Sequence, residues 1–147
     1  MRYAHTNIVS KDWEALAEFY VRTFDCTIIP PIRNQSGKWL TKGTGVKNAK
    51  LKGAHLLLPG HGENGPTLEI YQYEEILNLE SITPNTRGFS HIAFEVDSVE
   101  TVLNKLMQNG GSAYGEITTR EVLGVGTITF IYAKDPEGNL IELQSWK

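Results

Sequence analysis

Four residues of this 147-residue chain could together bind a metal ion. They are His5, Glu69, His91 and Glu142, and imidazoles and carboxylates are ligands that first-row divalent metals accept. His91 follows His5 by 86 positions and Glu142 follows Glu69 by 73, which indicates one His and one Glu used twice. Each Glu stands between Leu and Ile, an unusual setting for a charged residue.

The segments that follow the two His residues repeat as well, which indicates two structural modules. A shift of 86 positions superposes two apolar stripes with helical spacing: Trp13, Leu16 and Tyr20 in the first half, and Val99, Val102 and Leu106 in the second. Asp12 and Ser98 are the expected N-caps of these helices. Gly110 and Gly111 are expected to end the second helix, because its last position favours a left-handed residue.

Three further strands are predicted in each half, so that the order of elements is β-α-β-β-β. Besides the two strands that carry Glu, the candidates are residues 26–32 and 54–58 in the first half, and 112–117 and 127–133 in the second. Turn sequences at 61–65 and 135–139 precede the two Glu strands. Each half is therefore predicted to form its own small sheet with one helix.

The first half is longer than the second between its helix and its last strand. The two shifts differ by 13 positions, and we place these extra residues at 33–45, a segment rich in Gly, Lys, Asn and Ser. A polar linker at 80–88 joins the modules, which we place at about 1–84 and 85–147 within a single domain. The predicted fold class is α+β, with paired βαβββ modules that form a curved mixed sheet around a metal-binding cavity.

Strand parity places the four candidate ligands opposite the aliphatic residues of their strands. The apolar faces carry Ile8, Leu68, Ile70, Ile92, Phe94, Ile141 and Leu143. A solvated outer face would explain any one of the four polar residues alone. Two matched His and Glu positions favour a metal centre instead, because a rough two-fold relation between the modules would bring both pairs to one point.

The chain resembles the vicinal oxygen chelate superfamily of glyoxalases, bleomycin resistance proteins and dioxygenases, and within it glyoxalase I (lactoylglutathione lyase). The resemblance covers essentially the whole chain. Its motifs are His-Thr at 5–6, Gly-Phe-Ser-His-Ile-Ala-Phe at 88–94 with Val-Asp at 96–97, Gln-Asn-Gly-Gly at 108–111 and, most specifically, Asp-Pro-Glu-Gly-Asn-Leu-Ile-Glu-Leu at 135–143. The family's metal ligands match His5, Glu69, His91 and Glu142. The resemblance also implies a homodimer, and in this superfamily the two modules of a site can come from one chain or from two.

The resemblance implies an enzyme that moves a proton next to a carbonyl group. Glyoxalase I converts the hemithioacetal of a 2-oxoaldehyde such as methylglyoxal into a 2-hydroxyacyl thioester through an enediolate. The match implies Glu142 as the base and Glu69 as its partner. One divalent transition metal ion (Ni, Co, Zn, Mn or Fe) would act as a Lewis acid, and the residues leave its identity open.

Two positions refine this assignment. Ring-cleaving dioxygenases and fosfomycin-resistance transferases resemble this fold with two His and one Glu, so Glu69 argues against oxygen chemistry. Bacterial glyoxalase I commonly has an Arg four residues after the first His, where this chain has Val9, so glutathione itself is less well supported than the chemistry. The alternatives are an enzyme like methylmalonyl-CoA epimerase, which usually has Gln at the place of Glu69, or a non-catalytic sequestering protein of the bleomycin-resistance type.

Several further residues could line a substrate site. Arg33 lies in the inserted segment and could replace the missing Arg, although surface solubility explains it equally well. Arg120 could contact substrate, with a rim salt bridge as the alternative. Trp39 and Tyr71 could line an apolar pocket or serve as core contacts. His55 is interpreted as a core histidine or a neighbour of the site, since four ligands are already assigned.

Composition limits the remaining functions. The charge of -3 from 17 acidic and 14 basic residues gives no reason to expect a nucleic-acid partner. No signal peptide or apolar segment long enough for a membrane is evident, so we expect a soluble cytoplasmic protein that acts on a small molecule. Cys26, the only cysteine, lies in an apolar stretch and is interpreted as a buried inert thiol.

Overall fold

The computed structural model describes residues 1–77 and 82–147. The chain divides into two compact units, Met1–Asn78 (unit 1) and Leu79–Lys147 (unit 2). Glu80 and Ser81, at the start of the predicted linker, lie outside the described residues, and the module boundary between 84 and 85 stays a prediction. No helix within the described ranges has the length and apolar character that crossing a membrane would need.

Unit 1 is a four-stranded mixed sheet with one long and one short helix. Its elements are β1 (His5–Val9), α1 (Trp13–Phe24), β2 (Thr27–Ser36), α2 (Lys38–Thr44), β3 (Lys50–Leu57) and β4 (Thr67–Tyr73). The strands are ordered β1-β4-β3-β2. β1 runs parallel to β4, whereas β3 is antiparallel to both β4 and β2. The first and last strands of the unit are therefore neighbours.

Unit 2 repeats this topology, with a single helix among its described residues 82–147. Its elements are β5 (His91–Glu95), α3 (Val99–Gln108), β6 (Ser112–Val122), β7 (Gly126–Lys134) and β8 (Leu140–Trp146). The strand order is β5-β8-β7-β6, with β5 parallel to β8 and the other pairs antiparallel. The predicted α+β fold with paired βαβββ modules is confirmed.

Each helix covers one face of the sheet in its own unit. α1 contacts β2, β3 and β4, and α3 contacts β6, β7 and β8. The fully buried aliphatic and aromatic side chains include Leu16, Tyr20, Leu56, Leu68, Ile70, Leu106, Ile141 and Leu143. The faces that sequence parity marked as aliphatic are thus the buried ones in β4 and β8, and the residues between them lie on the opposite faces.

The helix ends follow the predicted signals. The Asp12 side chain accepts a hydrogen bond from the Ala15 backbone N–H, and Ser98 does the same for Thr101. Beyond α3 the backbone turns at Gly110 with φ +97°, a region that favours glycine. These local contacts satisfy backbone groups that a helix leaves unpaired at its ends.

The inserted segment differs from the prediction. Residues 33–36 extend β2, and the next part forms α2 rather than an open loop. The reason is local packing: Leu40 is buried in a small cluster with Ala49 and Leu51, which ties the helix to the sheet. β2 and β6 continue beyond their predicted ends because antiparallel pairing extends through mostly polar residues that carry no apolar pattern, and β3 begins earlier than predicted, at Lys50.

The strands β2 and β6 share one irregularity. Pairing of β2 with β3 shifts register between Ile29 and Arg33, and pairing of β6 with β7 shifts between Tyr114 and Thr118. Such bulges bend a strand and redirect the side chains that follow. In unit 1 the residue directly after the irregularity is Arg33.

The turn before β8 is fixed by a buried carboxylate. Asp135 is only 3% exposed and accepts hydrogen bonds from the backbone N–H groups of Glu137 and Asn139, each at 2.9 Å. It also accepts one from the Asn139 side chain at 2.8 Å. Charge-assisted bonds of this kind satisfy the buried carboxylate and define the direction in which β8 leaves the turn.

Candidate metal centre

In unit 1, His5 and Glu69 lie beside each other on adjacent parallel strands. Asn7 of β1 pairs with Glu69 of β4, so His5 is two residues before the direct partner and has the same parity. The His5 Nδ1 atom is 3.4 Å from Glu69 Oε1. The Glu69 side chain is 12% exposed and that of His5 is 48% exposed, so a largely buried carboxylate meets an accessible imidazole.

Unit 2 contains the same pair at the same register. Ala93 of β5 pairs with Glu142 of β8, and His91 is again two residues before the direct partner. The His91 Nε2 atom is 3.0 Å from Glu142 Oε2. The structure thus brings each predicted His together with the Glu of its own unit, and the role of all four as metal ligands stays a prediction.

A further histidine, His55, lies against the pair in unit 1. It is the direct antiparallel partner of Glu69, and its Nε2 atom is 3.3 Å from Glu69 Oε1 and 2.5 Å from the Tyr71 hydroxyl. Burial lowers the pKa of His55, an effect that the nearby Glu69 carboxylate partly opposes. The neutral imidazole is therefore favoured in this position.

Tyr71 completes the surroundings of Glu69. Its hydroxyl hydrogen-bonds to His55, and its pKa is raised to about 12, first by burial and then by the charge of the Glu69 carboxylate. Tyr71 was predicted to line a substrate site, and the structure places it two residues after Glu69 on β4, with the same parity. It stays protonated at neutral pH and can donate its hydrogen.

In unit 2 the residue at the register position of His55 is a tyrosine. Tyr132 of β7 pairs directly with Glu142. Burial and the Glu142 charge raise the pKa of Tyr132. Its ring also packs edge-on against His91, with 5.0 Å between centroids. A tyrosine whose pKa responds to the carboxylate therefore lies near each Glu, but only Glu69 has a histidine as its direct strand partner.

The other predicted site residues occupy different settings. Arg33 extends towards the site, and its Nη2 atom is 3.3 Å from His55 Nδ1. Trp39 lies on α2 with 61% of its surface exposed. Arg120 lies on β6, exposed and paired with Ile128. Cys26 is buried as expected, and burial raises its pKa to about 12.

A separate hollow of unit 1 lies near the start of α1. It has a volume of about 550 Å³ and is lined in part by Trp13, Lys50 and Tyr73. Neither His5 nor Glu69 contributes to its lining. The hollow and the His–Glu pair are therefore distinct features of this unit.

The chemistry of the donor atoms fits a divalent transition metal. Within the described ranges, no group of three or more His, Cys, Asp and Glu side chains is arranged to hold an ion. Each unit instead provides one imidazole and one carboxylate whose donor atoms face each other at 3.0–3.4 Å. Two such pairs supply the nitrogen and oxygen ligands that Ni, Co, Zn, Mn or Fe would take.

Comparison with known proteins agrees with this architecture. The family model described as Glyoxalase/Bleomycin resistance protein/Dioxygenase superfamily matches residues 2–143. A glyoxalase family protein from Bacillus cereus has 18% identity and a TM-score of 0.76, over 99% of this chain and 93% of that one. One from Enterococcus faecalis has 22% identity and a TM-score of 0.60, over 97% and 96%. TioX from Micromonospora sp. ML1 has 11% identity and a TM-score of 0.57, over the full length of both chains.

These structural likenesses establish the fold alone, because all three identities are low. A search of curated proteins finds no match. The family model, in contrast, spans nearly the whole chain and includes the first strand of unit 1 and Glu142 of β8. The chain therefore belongs to the Glyoxalase/Bleomycin resistance protein/Dioxygenase superfamily.

Proposed function

We propose that this protein is a metal-dependent lyase of the glyoxalase I type, which converts a 2-oxoaldehyde–thiol hemithioacetal into a 2-hydroxyacyl thioester. The observation that carries the proposal is the His–Glu pair, repeated at one register in two units: His5 with Glu69, and His91 with Glu142. Structural sites more often use closed, cysteine-rich ligand sets, whereas the only cysteine of this chain is buried.

The four side chains would hold one divalent ion, and each contributes one donor type. When bound, the ion would supply Lewis-acid stabilisation of the negative charge that develops on adjacent substrate oxygens. Four protein ligands leave about two positions of a six-coordinate ion for a substrate with neighbouring oxygens. A hemithioacetal formed from a 2-oxoaldehyde carries its hydroxyl and its carbonyl in that arrangement.

Glu142 would transfer the proton within the substrate. Its carboxylate removes the hydrogen from the carbon that bears sulfur and hydroxyl and returns it to the former carbonyl carbon, while the hydroxyl proton passes to the former carbonyl oxygen. One carbon is oxidised and its neighbour reduced, so no external oxidant or reductant is needed. Tyr132, the strand partner of Glu142, lies beside this carboxylate and retains its own proton because its pKa is raised.

Activity with a panel of thiols tests the proposal. Protein stripped of metal and reloaded with Ni, Co, Zn, Mn or Fe is mixed with methylglyoxal and glutathione, coenzyme A or another small thiol, and thioester formation is followed by ultraviolet absorbance. We expect turnover with at least one combination and none without metal. Because Val9 is exposed where bacterial glyoxalase I commonly has Arg, glutathione need not be the preferred thiol.

Two results would contradict this function. Metal uptake without thioester formation for any thiol would favour another isomerisation, such as epimerisation of a coenzyme A thioester. No metal uptake would favour the non-catalytic sequestering protein. The homodimer and the cytoplasmic location remain expectations from family resemblance and sequence, and sedimentation of the purified protein tests the former.

A further inference from the structure

A second hollow of unit 1 lies beside α2 and is lined by cationic side chains. Its volume is about 650 Å³, and its lining includes Lys38 and Lys42 of α2 and Lys50 of β3. No acidic side chain is among the described residues that line it. Hydroxyl and amide groups supply further hydrogen-bond donors there: Ser36, Thr41 and Asn48. The hollow therefore offers positive charge and donors from α2 and from both strands beside it.

The hollow lies within a stretch of sequence that contains no acidic residue. Residues 26–62 include six of the 14 basic residues of the chain and none of its 17 acidic ones. The rest of the chain has 8 basic and 17 acidic residues, a formal charge of -9, although the whole protein carries only -3. Such segregation concentrates positive potential in one region, which attracts small anions. An extended polyanion such as DNA would meet the acidic remainder as well, whereas a small anion need not.

Two of the lysines repel each other along α2. Lys38 and Lys42 are four residues apart, and like charges at this spacing destabilise a helix. Neither makes an ion pair within the part of the chain that the structure describes, whereas Lys50 Nζ is 2.9 Å from Glu74 Oε2. The only buried residue of α2 is Leu40, so the helix has little packing to offset this repulsion. An anion bound between the two lysines would remove it.

The hydroxyl group of Thr41 is available to such an anion. Its Oγ1 atom accepts a hydrogen bond from the Ala49 backbone N–H at 3.2 Å. A hydroxyl that accepts in this way still has its own hydrogen to donate. Because Thr41 also lines the hollow, that hydrogen can be donated to an anion between Lys38 and Lys42.

The helix α2 packs on the face of the sheet that carries Glu69. Leu40 of α2 is buried together with Leu51 of β3, and Leu51 has the same parity as His55, the strand partner of Glu69. Lys50, next to Leu51, is five residues before His55, which corresponds to about 16 Å along an extended strand. The hollow is therefore distinct from the His–Glu pair, but one elongated ligand could reach both.

We propose that this hollow binds the phosphate groups of a small organic phosphate. Lysine ammonium groups bind phosphate as point charges, and hydroxyl and amide donors complete the contacts to its oxygens. A phosphate monoester carries close to two negative charges at neutral pH, which matches the two unpaired lysines of α2. The inference requires neither metal nor turnover and is thus independent of the proposed function. The phosphate belongs either to the remote end of the substrate's thiol or to a separate ligand, and the two sources predict different kinetics.

Binding of pyrophosphate to the metal-free protein tests the site directly. The absence of metal prevents pyrophosphate from binding through an ion at the His–Glu pairs. Isothermal titration calorimetry at low salt should show one pyrophosphate per chain. Lys38→Ala combined with Lys42→Ala, the α2 double variant, should raise the dissociation constant by about tenfold or more, because hydrogen bonds to a charged group are lost. Wild-type protein without saturable binding would refute the site.

A second double variant separates a defined site from general attraction to a basic surface. Lys47→Ala with Lys52→Ala removes the same charge from the same acid-free stretch, but neither lysine is among the described residues that line the hollow. We expect this control to keep the affinity for pyrophosphate within about twofold, the effect of distant exposed charges. Equal losses in the two double variants would show that only overall charge matters, and would overturn the inference.

Amide spectra of the wild-type protein locate the ligand without any variant, and they carry the test if circular dichroism shows that the α2 double variant is unfolded. The Ala49 N–H, which is bonded to Thr41 Oγ1, should shift when pyrophosphate is added. Gly138, in the turn before β8, should not shift. Saturable binding that leaves the Ala49 amide unchanged would place the anion elsewhere and contradict the proposal.

Coenzyme A and pantetheine distinguish the two sources of phosphate, because they share a thiol arm and only coenzyme A carries the phosphorylated nucleotide. If the phosphate belongs to the substrate, the α2 double variant should raise KM for the coenzyme A hemithioacetal by about tenfold and leave kcat, and KM for pantetheine, unchanged. A separate ligand predicts unchanged KM values for both thiols. Absence of turnover with every thiol would contradict the proposed function, while calorimetry with pyrophosphate still decides whether the site exists.

Discussion

Glu69 and Glu142 have the same sequence neighbours and the same register, but their contacts differ. Glu69 contacts His5 and His55 and lies near Tyr71. Glu142 contacts His91 and lies near Tyr132. A carboxylate that is to act as a base must reach both its resting and its reacting positions, and fewer fixed donors make that movement easier. At the residue scale, these contacts support Glu142 as the base.

Replacing Glu142 by Gln separates the two roles of that residue. Glu142→Gln keeps an oxygen donor but removes the base, so we expect kcat to fall by roughly 10²- to 10⁴-fold, the typical contribution of general base catalysis. Metal content, measured by atomic absorption, should be only partly reduced. Glu100→Gln, on the exposed side of α3, changes charge equally and is expected to leave kcat unchanged. Wild-type turnover in Glu142→Gln would show that another group is the base.

At the scale of elements, the spacing between β3 and β4 makes room for the Tyr71 ring. Gly53 of β3 is the direct partner of Tyr71, whereas the corresponding residue of unit 2 is Phe130, opposite Gln144. A Cβ at position 53 would lie 2.5 Å from Tyr71 Cδ1 and closer still to the Ile70 carbonyl oxygen. The glycine is therefore required by a close approach of two strands.

A methyl group at position 53 should consequently disturb both stability and the site. Gly53→Ala is expected to lower the free energy of unfolding by about 1–3 kcal/mol, as overpacking does. It should also weaken Co²⁺ binding, because the Tyr71 side chain must move and Tyr71 contacts His55 beside Glu69. Gly43→Ala, within α2 and with no atom near the added Cβ, should instead raise the unfolding free energy by about 0.5–1 kcal/mol. Urea unfolding of both variants gives the comparison, and equal stabilities would show that the strands adjust freely.

Sequence reasoning predicted the elements that have a strong period and missed those that depend on pairing. Strand parity and the repeated His and Glu were sufficient to predict which side chains face each other in β1, β4, β5 and β8. Predicting the contacts of His55 with Arg33 and Glu69 would have required the register of β3 on β4 and the irregularity in β2. Neither of these leaves a pattern in the sequence of a single strand. The helix α2 was missed because its polar sequence has only Leu40 as a buried residue.

At the scale of the whole molecule, each unit provides one pair of candidate ligands, which we call a half-site. Each half-site is built inside one unit by the pairing of its first and last strands. Two ligands alone bind a divalent ion weakly, whereas four would give a complete set. The number of ions per chain therefore distinguishes one shared centre from two separate ones.

Removing one histidine from either unit tests the shared centre. We expect one Co²⁺ per chain in the wild-type protein. Both His5→Ala and His91→Ala should lose more affinity for Co²⁺ than the roughly 10- to 100-fold that is typical when a residue that only orients a ligand is replaced. His61→Ala, in an exposed turn, is the control and should bind normally. Equilibrium dialysis gives the stoichiometry. If His91→Ala retained one tightly bound ion, the pair in unit 1 would be a site of its own.

The matched irregularities of β2 and β6 are consistent with descent of the two units from one ancestral unit. Both strands lose register at the same place, opposite the third strand of their unit, although the residues on either side have diverged. Two unrelated insertions at equivalent positions would be a coincidence, whereas duplication of a gene that already encoded the bend explains both at once. After the duplication, one copy acquired Arg33 beyond the bend and the other Thr118. The asymmetry of the two carboxylates is in this view a later specialisation of an originally symmetric ancestor.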